Sequence, residues 1–539
     1  NGGQDFGVHV TGATARISSG GGNVSVQGTG GSGAGNSQYG VNVNTGGTVT
    51  AGGSGTVAVQ GQGGAAPGGF NIGVNLFGGG SGITSSGGAV LVTGIGAGTG
   101  TSSSGYGVLV QSGTSITSGG TGTLTVQGTG SNLATNLNRG ITVTGGSIGS
   151  AGGDVTLIGQ GGGAGTSQNG QGVRVDSAGV VSAGGNGNLN ITGVGSSATG
   201  SNNAGVSLTN TNSRISTNNG TIHLVGSTLG TSQPGVDLSV NGVVQSGANN
   251  TVTVTTDSYS GDGTASISAG TGIVNIRNRT AGTLINLGGA DVLGGSPLTL
   301  GLADAELERI TAGTLEVGRN DATAAGAITV SAAISPTLAS NLTVLGGGDI
   351  AIGADVTVAN TLVLTAGTGA TASGSGNLSA TNLLLNGPGA SYILDTAVSN
   401  AISTLAAGGT GTVRYKNNSA LTIGAVGAAS GINASGPVAV STASGNLTVA
   451  QTVQTSDSSS AAVVLNAGQA AAAGTASGGD ILLSGSPGVT VGAGGRATLM
   501  TGSVAGSTGL TGLVGSGSGN FFFNDAATTE IYTAPLGAG

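Results

Sequence analysis

Residues 107–130 read GVLVQSGTSITSGGTGTLTVQGTG. Apolar residues alternate in Val108 and Val110 and again in Leu124 and Val126, and Ile116 stands alone between two runs of Ser, Thr and Gly. A period of two belongs to strands, whose side chains point alternately to opposite faces, and not to a helix with its period of 3.6. The stretch therefore predicts three short strands joined by two tight turns, and a Gly/Ser/Ala loop, such as Gly61–Gly69 or Gly159–Gly165, completes each unit. Such a unit cannot enclose a core alone, but copies stacked on one another can.

Copies lie on both sides. The first anchor recurs as Val8, Val41, Val74, Val108, Ile141, Val173, Val206 and Val236, at spacings of 33, 33, 34, 33, 32, 33 and 30. The second recurs as Ile17, Val49, Ile83, Ile116, Ile148, Val181, Ile215 and Val244. The third is a pair of strand residues, from Val24 and Val26 in the first copy to Val252 and Val254 in the eighth. Ankyrin repeats have this length but need two helices per repeat. Three anchors in fixed order predict an all-β, right-handed parallel β-helix (a β-solenoid) shaped as an elongated rod, the first anchors forming its core ladder. Each coil would add about five aliphatic side chains, each contributing ~1.5–3 kcal/mol on burial. That gain must offset the ordering of a Gly-rich backbone, with Gly expected at sharp corners.

Composition agrees. Of 539 residues 118 are Gly, 6% are charged and 2% aromatic, with no Cys and no Trp. Mean hydropathy of +0.26 argues against disorder, and collagen would need Gly at every third position. The balance of 11 basic against 19 acidic residues, with Lys416 the sole lysine, offers no basic footprint for nucleic acid. No apolar run is long enough for a membrane-spanning helix. The chain opens on Asn1 within repeat-like material and reads as a segment or processed form of a longer protein.

The organisation expected is a regular solenoid of eight coils over 1–260, a charged transition over 261–325, and irregular coils over 326–539. No strict period is evident in the last part, where strand-like runs such as residues 342–344, 362–364 and 383–385 crowd together. Leu302–Ile310 (LADAELERI) is the one passage with a helical look.

The run from Gly301 to Gly318, GLADAELERITAGTLEVG, resembles repeats of filamentous-haemagglutinin-like surface proteins of Gram-negative bacteria. So do ANTLVLTAG at Ala359–Gly367 and the V-x-V-Q-G-x-G endings of the early units. The resemblance implies a β-helical fibre secreted across the outer membrane, often with a separate barrel partner, and located outside the cell or on its surface. Its role would be adhesion, biofilm or filament assembly, with copies of itself, surface glycans, and host or neighbouring cells as partners. It supplies no catalytic residue and no cofactor.

The residues themselves leave alternatives to that non-enzymatic reading. A β-helical polysaccharide-degrading enzyme would need carboxylates and a base converging on one outer face. The one dense group is Arg277, Arg279, Asp291, Asp304, Glu306, Glu308 and Arg309, which also reads as a solvated cluster. His9 and His223 sit at outward strand positions six coils apart, too far to share a metal ion. Asp154, Asp349 and Asp480 each follow a Gly-Gly or Gly pair on entry to a strand, and read as bonding their own turns and not as calcium ligands. Outward columns of Asn, Thr and Ser on the third strand, such as Asn23, Thr56, Thr123 and Asn188, suit glycan contact or a plain solvated β face. Phe521–Phe523 would stack within the terminal coils or meet a partner.

Overall fold

A computed structural model describes residues 3–230, 233–247, 249–470, 478–485, 487–502, 506–509 and 520–523. The chain is a parallel β-solenoid, as its repeat predicts. Two compact units are present: Asn1–Thr280 with Asp291–Gly301 and Arg309–Gly313, and Ala281–Ala290 with Leu302–Glu308 and Thr314–Gly539. No helix among the described residues is long and apolar enough to cross a membrane.

In the first unit each coil contributes one strand to each of three faces. The first coil supplies Val8–Thr11, Arg16–Ser19 and Val24–Thr29, and the ninth supplies Tyr259–Gly261, Ser266–Ser268 and Ile273–Arg277. The first anchors pair in single file from Val8 through Val41, Val74, Val108, Ile141, Val173 and Val206 to Val236, and the file ends on Tyr259. From Val41 to Val236 every member is fully buried. Aliphatic β-branched side chains suit this position because the pleat holds them in one rotamer against the rung above. On the third face the alternation is clean, buried and exposed residues taking turns along Val24–Thr29. On the first face it fails: Val41, Asn42 and Val43 are all buried.

The cause lies in the coil length. Val236 pairs with Tyr259 only 23 residues later, and Val252 pairs with Val274 after 22. The earlier 33-residue coils are thus short three-stranded turns carrying an added segment between third strand and next first strand. That segment runs over 30–40 in the first coil and shrinks to 256–258 in the eighth. Two facing glycine columns pinch its base. A Cβ on Gly61, Gly94 or Gly128 would lie 2.0, 2.1 or 2.2 Å from the carbonyl oxygen of Gly73, Gly107 or Gly140. These glycines are required for close backbone approach, and not for the positive φ expected at corners.

The second unit stacks shorter coils. One ladder runs Ile328, Ile350, Ala372, Tyr392, Val413, Val438 and Val463, at separations of 22, 22, 20, 21, 25 and 25 residues. Another joins Leu342, Leu362, Leu383 and Leu405. Buried amides tie its bends: Asn417 Nδ2 donates to Ile402 O (2.9 Å), and its Oδ1 accepts from Ile402 N (2.9 Å) and Tyr415 Oη (2.9 Å). Desolvation pushes the Tyr415 hydroxyl far up, and Tyr392 to about 12. The helical-looking run forms a single turn, Asp304–Leu307, where the Glu306 carboxylate accepts from Ala303 N at 2.8 Å. Strand Asn520–Phe523 pairs with Ala497–Thr501, but the side chains of Phe521–Phe523 lie outside the described residues.

Candidate functional site

The added segments fold back beside the first face and turn its outward side into a groove. Three residues before the anchor, an Asn amide fixes alternate segments internally. Asn71 Nδ2 donates to Ala66 O (3.0 Å) and Gly68 O (2.6 Å). Asn138 repeats this with Leu133 O (3.3 Å) and Thr135 O (2.7 Å), and Asn203 with Ala198 O (3.2 Å) and Gly200 O (2.8 Å). The Oδ1 atoms of Asn138 and Asn203 accept from Gly105 N (3.1 Å) and Gly170 N (2.8 Å), which locks each segment to the preceding one. Asn138 and Asn203 are thus satisfied at both ends of their buried amides, which is stabilising, while Asn71 Oδ1 is buried without a hydrogen-bond partner.

One residue earlier the backbone is left-handed in the first six segments: Ser37, Phe70, Ser104, Leu137, Asn169 and Asn202 have φ between 58° and 66°. For a non-glycine residue this costs on the order of 1–3 kcal/mol and is typical of ligand clamps. Two residues before the anchor stands a column of flat or apolar groups. The Phe6 and Tyr39 rings stack with centroids 5.3 Å apart, and Ile72 packs with Tyr106 and Leu109. The Arg139 guanidinium lies 5.7 Å from the Tyr106 ring centroid, and its Nε donates to Gln171 Oε1 at 2.7 Å. Burial raises the Tyr39 hydroxyl pKa, partly opposed by its bond with Ser37.

The groove holds two cavities. The first, about 340 Å³, is walled by Phe6, Tyr39, Phe70 and Phe77 and floored by Asn42, Asn75 and Gln111. Its floor is an amide ladder: Asn75 Nδ2 donates to Asn42 Oδ1 (2.8 Å), and Gln111 Nε2 donates to Asn75 Oδ1 (2.9 Å). Asn44 also lines it, and its Oδ1 is buried without a hydrogen-bond partner. The second cavity, about 350 Å³, is polar, with Arg174, Asp237, Ser207, Asn202 and Gln171 around it. Arg174 Nε pairs with Asp176 at 2.6 Å, and Ser207 Oγ donates to Asp237 at 3.2 Å. Burial raises Asp237 to about 6, with smaller contributions from the Ser207 bond (lowering), Asp262 (raising) and Arg174 (lowering). A third hollow, about 480 Å³ in the second unit, is larger but walled by small polar residues such as Thr410, Asn433, Ser435 and Thr455. It lacks the aromatic and charged groups that fix a ligand's orientation.

Of the charged residues singled out from sequence, Glu308 is exposed and the others are engaged elsewhere. Asp291 accepts from Tyr259 N (2.9 Å) and Gly301 N (2.7 Å), Asp304 from Ser335 N (2.6 Å), and Glu306 from Ala303 N. Arg277 Nε donates to Thr255 Oγ1 (3.0 Å), and Arg309 to Gly261 O (3.0 Å). Arg279 takes part through its backbone N–H, given to Asp257 (2.9 Å). Among the described residues no three His, Asp or Glu side chains gather as metal ligands would. His9 is exposed on the first face with its ring 4.4 Å from that of Phe6. His223 is on the third face and half-buried, its pKa lowered by burial and by Arg277.

Asp154 and Asp349 do not bond their own turns. Each accepts from the next coil, at Asn188 N (2.8 Å) and Thr371 N (2.8 Å). Asn23 and Asn188 do the same toward Thr56 N and Thr221 N, both at 3.0 Å, so this outward column clamps coil to coil. Asp480 instead gives its backbone N–H to Asn446 Oδ1 (2.9 Å).

Sequence reasoning missed the groove residues, because alternation assigns Asn42, Asn75, Arg174 and Asp237 to open solvent. The available signal was the Asn found three residues before the anchor in Asn71, Asn138 and Asn203. No family model matches the chain, and neither does any curated protein or solved structure.

Proposed function

We propose that the chain is a non-enzymatic structural and adhesive segment of an extracellular fibre, exported to the surface of a Gram-negative cell, where it supports attachment, biofilm or filament assembly. The observation that carries this reading is the unslipped file from Val8 to Tyr259. Such a body depends on contacts between neighbouring coils and leaves its outer surfaces to carry recognition. The carboxylates of the charged segment support the same reading, since Asp291, Asp304 and Glu306 are spent on backbone N–H groups. The resemblance of residues 301–318 to haemagglutinin-like repeats gives the surface location and a secretion partner in the outer membrane.

Removing one whole coil outside the aromatic-walled cavity, residues 141–172, tests the reading. Cells displaying the shortened chain should attach as well as those displaying the full chain, because the remaining rungs restack in register. Attachment unaffected by loss of the entire chain, or release of reducing ends from a polysaccharide by the purified chain, would overturn it.

A further inference from the structure

We propose that the first cavity is a binding site for a neutral polysaccharide, laid lengthwise along the groove. The proposal names the ligand class of the adhesive reading above and rests on that reading for its biological role only.

Aromatic placement is the main argument. The chain has six Phe, three of them in residues 521–523, and the other three, Phe6, Phe70 and Phe77, all line this one cavity. Phe70 and Phe77 are 46% and 54% exposed, although burial of such side chains is the strong default. Phe70 is held there by a left-handed backbone (φ 62°). An exposed ring face is a platform for the C–H face of a pyranose.

The floor matches hydroxyl groups. Each amide in the ladder from Asn42 through Asn75 to Gln111 offers both donors and acceptors. A sugar hydroxyl donates and accepts at once, so it can complete an amide that the ladder has half used. No Lys, Arg, Asp or Glu is among the residues lining this cavity, so it favours a neutral chain over a sulfated or uronic one.

Direction follows from the stacking. The ladder hydrogen bonds run from coil to coil, and the rungs repeat at roughly 4.8 Å. A pyranose unit in an extended β-linked chain advances by a similar distance. Successive sugars can therefore meet Asn42 and Asn75 on successive coils.

The test is isothermal titration of the full chain with neutral β-linked glucan and mannan hexasaccharides, with heparin and a proline-rich peptide as comparators. At least one neutral hexasaccharide should bind. Joint Phe70→Ala and Phe77→Ala substitution should weaken it by about tenfold or more, as truncating aromatic anchors does. Both side chains are exposed, so circular dichroism should be unchanged, and Leu91→Ala on the third face should leave binding intact. Binding of heparin or the peptide alone, binding of nothing, or full affinity in the double variant would overturn the proposal. Hexasaccharide binding in a chain that promotes no attachment would remove the fibre reading and leave this site standing; attachment without hexasaccharide binding would do the reverse.

Discussion

Gly94 and Gly107 face each other across the base of an added segment so closely that a Cβ on Gly94 would lie 2.1 Å from the Gly107 carbonyl oxygen. The obstacle is backbone, paired in turn to neighbouring coils, so it cannot swing aside as a side chain would. Gly94→Ala should therefore destabilise the first unit by about 1–3 kcal/mol, the usual cost of overpacking. Gly79→Ala is the matched comparison, since nothing lies within 4 Å of its Cβ position. Thermal melts should show a clear drop for the first and almost none for the second.

The core ladder makes a second expectation. Ile141 is fully buried between Val108 and Val173. Ile141→Ala should cost about 2–5 kcal/mol and Ile141→Val about 0.5–1.5 kcal/mol, because cavity size sets the penalty. Urea unfolding measures both, and equal effects would indicate that the site is not packed as described.

Asn138 should act locally. Its amide bonds Leu133, Thr135 and Gly105, all within two adjacent segments. Asn138→Ala orphans these groups at a cost of about 1–3 kcal/mol. Hydrogen exchange of the Gly105 amide should accelerate strongly, while strand amides such as those of Leu124 and Val126 should change little.

Asp237 gives a pH dependence of definite sign. Its folded pKa is raised from 3.8 to about 6, so the folded state holds the proton more tightly than the unfolded chain. Stability should be greatest below the unfolded value, fall as pH rises through the interval between the two, and level off above the folded value. Asp237→Asn keeps an acceptor for Ser207 and removes the titration. It should flatten the urea midpoint between about pH 4 and pH 6 and stabilise at neutral pH by on the order of 1 kcal/mol.

The stacked strands are legible because each anchor is an aliphatic residue at a fixed separation, and burial in a shared column demands that. The added segments are legible only as Gly/Ser/Ala loops projecting once per coil, and not as the wall of a groove. Their residues, as in 161–172, are mostly Gly, Ser, Gln and Asn, and carry no apolar period. Once they fold back, a residue such as Asn75, outward by alternation, is left only 3% exposed. The groove is a product of tertiary packing over a strand face and leaves no mark within any one strand. The second unit shows the converse, with separations from 20 to 25 residues along its ladder. The stacking persists there while turn lengths drift.

Nitroxide labels on a cysteine-free chain offer the most direct check. Ser25 and Asn190 are both exposed on the third face, 165 residues apart in sequence and joined through Ala58, Leu91, Thr125 and Thr156 in five successive pairings. Cysteines placed there and spin-labelled should give one narrow distance distribution centred near ~24 Å, five steps of strand spacing. A broad distribution, or a centre beyond twice that value, would contradict coil-on-coil stacking and the groove built on it.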